Sequence, residues 1–195
     1  MPARGDHDAR RREVSEAVWR VLAAHGFGGL TMRAVADELG ATTGLLTHYF
    51  ADKRALIAYA LDVAEERTDT RKLRTPPADG LPALRAALLD VLVLDKDAAT
   101  MNRVWVSSWD GALSDPERGA VQKARYRRWR ERLLPHVVAA QRLGQLPSTV
   151  DADDLVVTAA AFAHGLVVQA LFDPRKLPRA RQVTLLDNFL AGLAS

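Results

Sequence analysis

The 195-residue chain contains no cysteine. That absence excludes disulfides and thiolate chemistry, and it removes any pointer to an oxidising compartment. There is no glycine-rich phosphate loop and no set of histidines and carboxylates at metal-ligand spacing, so neither a metal nor a cofactor is expected. Ser107 and Ser108 stand near Asp110, but no histidine lies close to them in sequence. An enzyme reading therefore has little to rest on. No apolar run approaches the ~20 residues that cross a bilayer, so no membrane partner is expected. The segment MPARGDHDARRREV lacks the hydrophobic stretch of a secretory signal, and the cytoplasm is the expected location. Strand signals, repeats and low-complexity tracts are also missing. An excess of one charge is nearly missing too: 27 Lys and Arg oppose 24 Asp and Glu, for a net +3. The first 54 residues hold eight basic and seven acidic side chains. Charge alone does not point to nucleic acid.

What is present is a geometric signal in TMRAVADELGATTGLLTHYFADKRAL, Thr31 to Leu56. Val35, Leu39, Ala41, Leu46 and Tyr49 are apolar at spacings that suit the inner side of two crossing helices. Ala36 is small where those helices approach. Gly40 follows Leu39 directly and tolerates the positive φ of a sharp stop. Thr31 is placed to cap a helix over Met32–Leu39, and Thr42 or Thr43 to cap one over about Thr43–Phe50. Short helix, glycine turn and capped second helix make a helix-turn-helix. Thr43, Leu45, Thr47 and His48 then point outward, uncharged and suited to base edges and thymine methyls. Gly44 allows close backbone approach to a duplex. Lys53 opens the next helix, where exposed N–H groups favour a phosphate. The Arg10-Arg11-Arg12 run suits phosphates as well as it suits a solvated helix start.

Gly26, Thr31, Val35-Ala36, Gly40, Thr42, Gly44, Tyr49-Phe50, Lys53 and Leu56 together resemble the signature of the TetR family of one-component bacterial repressors. The match runs without a gap from Gly26 to Leu56, roughly the first quarter of the chain. The resemblance implies an N-terminal three-helix DNA-binding domain and a larger helical domain that dimerises and holds a small-molecule inducer. It implies DNA contact at Thr31, Arg33, Thr42, Thr43, Gly44, Leu45, Thr47, His48, Tyr49 and Lys53, with Thr31, Thr42 and Lys53 on phosphates. The chain departs from the family at Thr47, where most members carry tyrosine. TTGLLTHYFADK, and more distantly Trp105-Val-Ser-Ser-Trp109 with Tyr126-Arg-Arg-Trp129, resemble the choline-responsive, BetI-like branch. The resemblance does not extend to choline as the ligand.

The expected fold is all-α, of about nine helices, with domains over residues 1–52 and 53–195. Helices are expected over about Asp8–His25 and from Asp52 to about Arg71, ahead of the break at Thr75–Pro82. Further helices are expected over Leu84–Leu94, Ala98–Leu113, from Ser114 to about Leu143, Asp151–Phe172, and from Pro178 to about Leu193. The stretch Glu117–Arg132 has seven basic residues against two glutamates and reads as a solvated face, with DNA contact, or the holding of an anionic ligand by some of its arginines, as the alternatives. Leu155, Ala159, Phe162, Leu166, Val183, Leu186, Phe189 and Leu190 fall at helical spacing on two strongly apolar helices. They are expected to form a dimer surface, or else to be interior to a monomer. His164 reads as a core or interface histidine. Trp105 and Trp109, four apart and so on one face, with Tyr126, Trp129 and Phe162, would line an effector pocket, although each also suits a core.

These readings converge on a homodimeric regulator that binds double-stranded operator DNA and answers to an unidentified small molecule. The alternative is a dimeric small-molecule-binding protein without sequence-specific DNA binding.

Overall fold

In the computed structural model, residues 4–194 are described, with side chains from Arg10 onward. All the described regular structure is helical, in ten helices, and the chain divides into two compact units.

Among the described residues, the first unit comprises the chain from Arg4 to Arg71 together with Arg103–Ser108. It is built on α1 (Arg4–His25), α2 (Met32–Leu39), α3 (Thr43–Leu46) and α4 (Lys53–Asp69). Helix α1 turns one stripe inward, Val14, Ala17, Val18, Val21 and Leu22, all buried, as a helical period requires. Leu56, Ile57, Ala60, Val63 and Ala64 of α4 are buried too, and α4 packs on α1. Arg67 of α4 pairs with Glu16 of α1 and stacks over the Trp19 ring at 4.7 Å. The compact unit therefore extends to Arg71, past the boundary expected at residue 52, because the inward stripe of α4 is covered by α1.

Gly40 ends α2 in the left-handed region (φ 62°), and its N–H reaches the carbonyls of Ala36 and Asp37. A side chain there would strain the backbone. Gly26 at the end of α1 is as constrained: φ is 63°, and a Cβ would lie 2.8 Å from Ser107 Oγ.

The second unit comprises Lys72–Asn102 and the chain from Trp109 onward. It holds α5 (Leu81–Leu89), the start of α6 (Lys96–Ser107), α7 (Trp109–Ser114), α8 (Pro116–Arg142), α9 (Ala152–Phe172) and α10 (Arg179–Leu193). Asp115 caps α8 by accepting from the N–H groups of Glu117 and Arg118, with Pro116 in the first turn where its missing N–H costs nothing. Leu84, Leu88, Leu133, Val137, Leu155, Ala159, Leu166, Leu186 and Leu190 share one core. Gln182 is buried within it, donating from Nε2 to the carbonyls of Val93 (2.8 Å) and Leu177 (2.9 Å). Its Oε1 accepts from the Val93 N–H at 3.1 Å. On the surface Arg85 and Asp187 form a two-point pair.

Ten helices replace the expected nine because 98–113 is not one helix. It breaks at Ser108, whose hydroxyl donates to the Trp105 carbonyl at 2.7 Å. Such side-chain bonds compete with the helical ladder. Helix α9 corrects the expectation that no apolar run approaches ~20 residues: with 21 residues and mean hydropathy 1.9, it is long and apolar enough to cross a bilayer by length and composition. Its buried residues from Leu155 to Val167 face the core of the second unit.

Candidate nucleic-acid interface and aromatic cluster

The helix-turn-helix forms by the expected local rules, with three differences. Thr31 caps α2, its Oγ1 accepting from the Ala34 N–H at 3.0 Å. Thr42 occupies the cap position of α3, but its side chain accepts no capping bond. The α-helical part of the second helix is only Thr43–Leu46, followed by a turn through Tyr49. That change of winding moves the inward residue by one. Phe50 is buried and Tyr49 is 40% exposed, reversing the inner position expected for Tyr49. Phe50 rests on Tyr59 of α4, ring centroids 5.2 Å apart.

Thr43, Gly44, Thr47, His48 and Tyr49 are exposed in one short stretch, with Leu45 half-buried and Leu46 buried beneath them. Thr47 spends its proton locally, donating to the Gly44 carbonyl at 2.8 Å. The hydroxyls of Thr42 and Thr43 have no such bond. Lys53 is exposed at the first position of α4, next to Asp52, which caps that helix by accepting from the Ala55 N–H at 2.9 Å. Arg33 is exposed on α2 and only loosely paired with Asp37, at 3.9 Å.

The basic run of α1 divides. Arg10 pairs with Glu13 at 2.8 Å. Glu13 holds the guanidinium proton more tightly than usual, and the Tyr49 phenol adds to that effect. Arg10 therefore sits beside the exposed stretch. Arg11 and Arg12 line a groove of about 760 Å³ between α1 and α4, together with Glu16, Asp62 and Glu66.

In the second unit, four rings meet. The imidazole of His164 on α9 lies 4.6 Å from Trp129, 5.1 Å from Tyr126 and 6.3 Å from Trp109, centroid to centroid. Burial, and then the positive charge of Arg125, lower its pKa to about 4, so the ring is neutral at pH 7. Trp109 Nε1 and Gln122 Nε2 are buried in this unit without a hydrogen-bond partner. Gln122, Tyr126 and Trp129 recur at i, i+4 and i+7 on α8 and so share a stripe. His164 and Gln122 were the members that the sequence reading missed. The stripe's spacing was the available signal for Gln122.

Two of the five expected pocket residues lie elsewhere. Trp105 belongs to the first unit, its indole N–H donating to Thr68 Oγ1 at 3.0 Å; the break at Ser108 separates it from Trp109. Phe162 stacks on Phe189 of α10, centroids 4.0 Å apart and planes 5° from parallel.

The expected dimer residues divide as well. Leu155, Ala159, Leu166, Leu186 and Leu190 are buried inside the protomer's own core, and so are not available to a partner. Phe162, Val183 and Phe189 remain partly exposed at its edge. The far side of α9 presents Val157, Thr158, Ala161, Gly165 and Phe172 to solvent. Among the described residues, no group of three or more His, Cys, Asp or Glu could hold a metal ion.

Known proteins resemble this chain in sequence and in fold. Residues 15–60 match the family described as bacterial regulatory proteins, tetR family. Residues 81–195 match the BetI-type transcriptional repressor, C-terminal family. The transcriptional regulator PksA of Bacillus subtilis is 32% identical over 107 residues, covering 54% of this chain and 52% of that protein. The transcriptional regulator BetI of Vibrio parahaemolyticus is 23% identical over 194 residues, covering 97% of this chain and 94% of its own length. A transcriptional regulator from Saccharomonospora viridis, solved in complex with choline, superimposes with a TM-score of 0.80 at 22% identity, covering 94% of this chain and 96% of that one.

Proposed function

Because the chain belongs to the TetR family of bacterial transcriptional regulators, with a C-terminal region of the BetI type, we propose that it is a ligand-responsive repressor. As a cytoplasmic homodimer it would bind a palindromic DNA operator and leave it when a small molecule binds. The observation that carries this reading is the stretch Thr43–Tyr49. Its hydrogen-bonding side chains are exposed and include no carboxylate, while Leu46 and Phe50 anchor it from below. A short element of that kind fits a major groove, where base edges offer donors, acceptors and thymine methyls.

Within it, Thr43, Leu45 and His48 are assigned to base edges. Thr31, Arg33, Thr42, Tyr49 and Lys53 are assigned to phosphates, joined by Arg10. Gly44 lets the backbone come close. Thr47, shorter than the family's tyrosine and bonded to Gly44, is the least engaged. Two protomers joined through the outer face of α9, with Phe162, Val183 and Phe189, would set the two reading elements about one helical turn of DNA apart, ~34–36 Å, or a multiple of it. The effector is assigned to the cluster of Trp109, Tyr126, Trp129 and His164. The choline-bound relative supports the presence of a small-molecule site in this fold. Effector binding would act by favouring one arrangement of the dimer over another.

The test is titration of the homodimer against the DNA flanking its own gene and against random duplex, at two salt concentrations. A preference that persists at the higher salt supports the repressor. Equal affinity for both duplexes leaves the dimeric binding protein without sequence reading as the better account.

A further inference from the structure

The aromatic cluster is furnished for one chemistry more than another. Trp109 Nε1 and Gln122 Nε2 are both hydrogen-bond donors, buried and without an acceptor. Native proteins leave few buried polar groups in that condition, and each such group is a candidate for a functional partner. Trp109 is one of the rings against His164, and Gln122 lies one helical turn before Tyr126, another of them. Gln122 shares the α8 stripe with Tyr126 and Trp129, and Trp109 meets His164 edge-on. Arg125, one position before Tyr126, places a positive charge close enough to act on the same imidazole. The rings offer flat apolar contact. The polar atoms left unpaired there are both donors, and a guanidinium stands nearby.

We infer that the effector of this chain is an aromatic or similarly flat carboxylate, its oxygens accepting from Trp109 and Gln122, and not a quaternary ammonium. This rests on the reading of the cluster as the effector site. A trimethylammonium group carries no acceptor for the two N–H groups, and Arg125 repels it. A carboxylate satisfies both donors, and its charge is favourable beside a guanidinium. The prediction runs against what the choline-bound relative suggests by itself.

The intact homodimer can be tested by thermal shift and tryptophan fluorescence with matched probes. Cinnamate, phenylacetate and indole-3-acetate form one arm; choline and benzyltrimethylammonium form the other. Carboxylates are expected to raise the melting temperature and change the fluorescence, with ammonium probes inert at the same concentration. Trp109→Phe and Gln122→Met, each shown to be folded by circular dichroism, are expected to weaken carboxylate binding at least about tenfold. A second readout needs no ligand. Gln122→Met removes an unpaired buried donor at nearly constant shape, so the free protein should melt at the same temperature or higher. Three results would each overturn the inference: ammonium probes binding better than carboxylates, no carboxylate binding at all, or Gln122→Met lowering the melting temperature of the free protein. Operator affinity of the ligand-free protein is measured separately. A protein that binds its operator but ignores carboxylates refutes this inference alone, whereas one that ignores the operator refutes the regulator reading.

Discussion

Replacing Gln182 by leucine should be among the most damaging single changes in the second unit. Gln182 is 2% exposed and makes three hydrogen bonds to main-chain groups: the Val93 N–H, the Val93 carbonyl and the Leu177 carbonyl. Leucine matches its bulk roughly but offers none of them. An orphaned buried polar group costs about 1–3 kcal/mol. Leu177 is buried and Val93 only partly so, which puts Val93's two groups toward the lower end. The expected loss is therefore about 3–5 kcal/mol, a large share of the ~5–15 kcal/mol typical of a folded protein. Gln182→Glu sharpens the point. It keeps the acceptor for the Val93 N–H but turns a carboxylate toward two carbonyl oxygens. That variant should be no more stable than the leucine variant at neutral pH, and should recover in part on acidification as the carboxyl regains a proton to donate. Urea unfolding at one fixed protein concentration measures both, since the stability of any assembly depends on concentration. A loss below about 1 kcal/mol for Gln182→Leu would refute the reasoning, because solvent or a local shift would then be satisfying those groups.

Two further predictions concern the candidate sites. Thr31→Ala removes the cap of α2 and should cost about 1 kcal/mol, read by urea unfolding, while Thr42→Ala, which breaks no capping bond, should cost markedly less; equal losses would contradict the capping geometry. His164 has its pKa lowered from 6.5 to about 4, so between those values the unfolded chain binds a proton that the folded chain does not. Stability is full above pH 6.5, falls as the pH drops through that window, and levels off below about 4. At about 1.4 kcal/mol per pH unit, His164→Phe should reduce the loss between pH 7 and pH 5 by roughly 2 kcal/mol relative to the native chain, and parallel pH profiles would show that the imidazole is not held neutral.

The sequence made the head of the molecule legible because its rules are local. Gly40, the Thr31 cap and the inward stripe of α1 depend on neighbours within a few positions, and α2 begins and ends at the residues expected. What escaped depended on contacts far away in sequence or on small changes of winding. Tyr49 and Phe50 exchanged places because the α-helix stops at Leu46 and a tighter turn carries the chain on. The break at Ser108 has no glycine or proline to announce it, so Trp105 and Trp109 were expected on one face and lie in different units. Apolar spacing on α9 and α10 cannot distinguish a face turned to the protomer's core from one turned to a partner. The strongest periodic positions, Leu186 and Leu190 among them, turned out to be core. His164 has apolar neighbours and a glycine beside it in sequence, and they reveal nothing of the three rings around it.

The most direct test of the account is DNA binding by the full-length protein, measured by fluorescence anisotropy at two salt concentrations, with the duplex flanking its own gene and a random duplex of equal length. The native chain should prefer the former. His48→Ala and Thr43→Ala should erode that preference by about 1–3 kcal/mol each, whereas Lys53→Ala should weaken both duplexes alike and flatten the salt dependence. Equal affinity of the native protein for the two duplexes, or a Lys53→Ala variant altered only in sequence preference, would contradict the assignment of Thr43–Tyr49 as the reading element and Lys53 as its phosphate anchor.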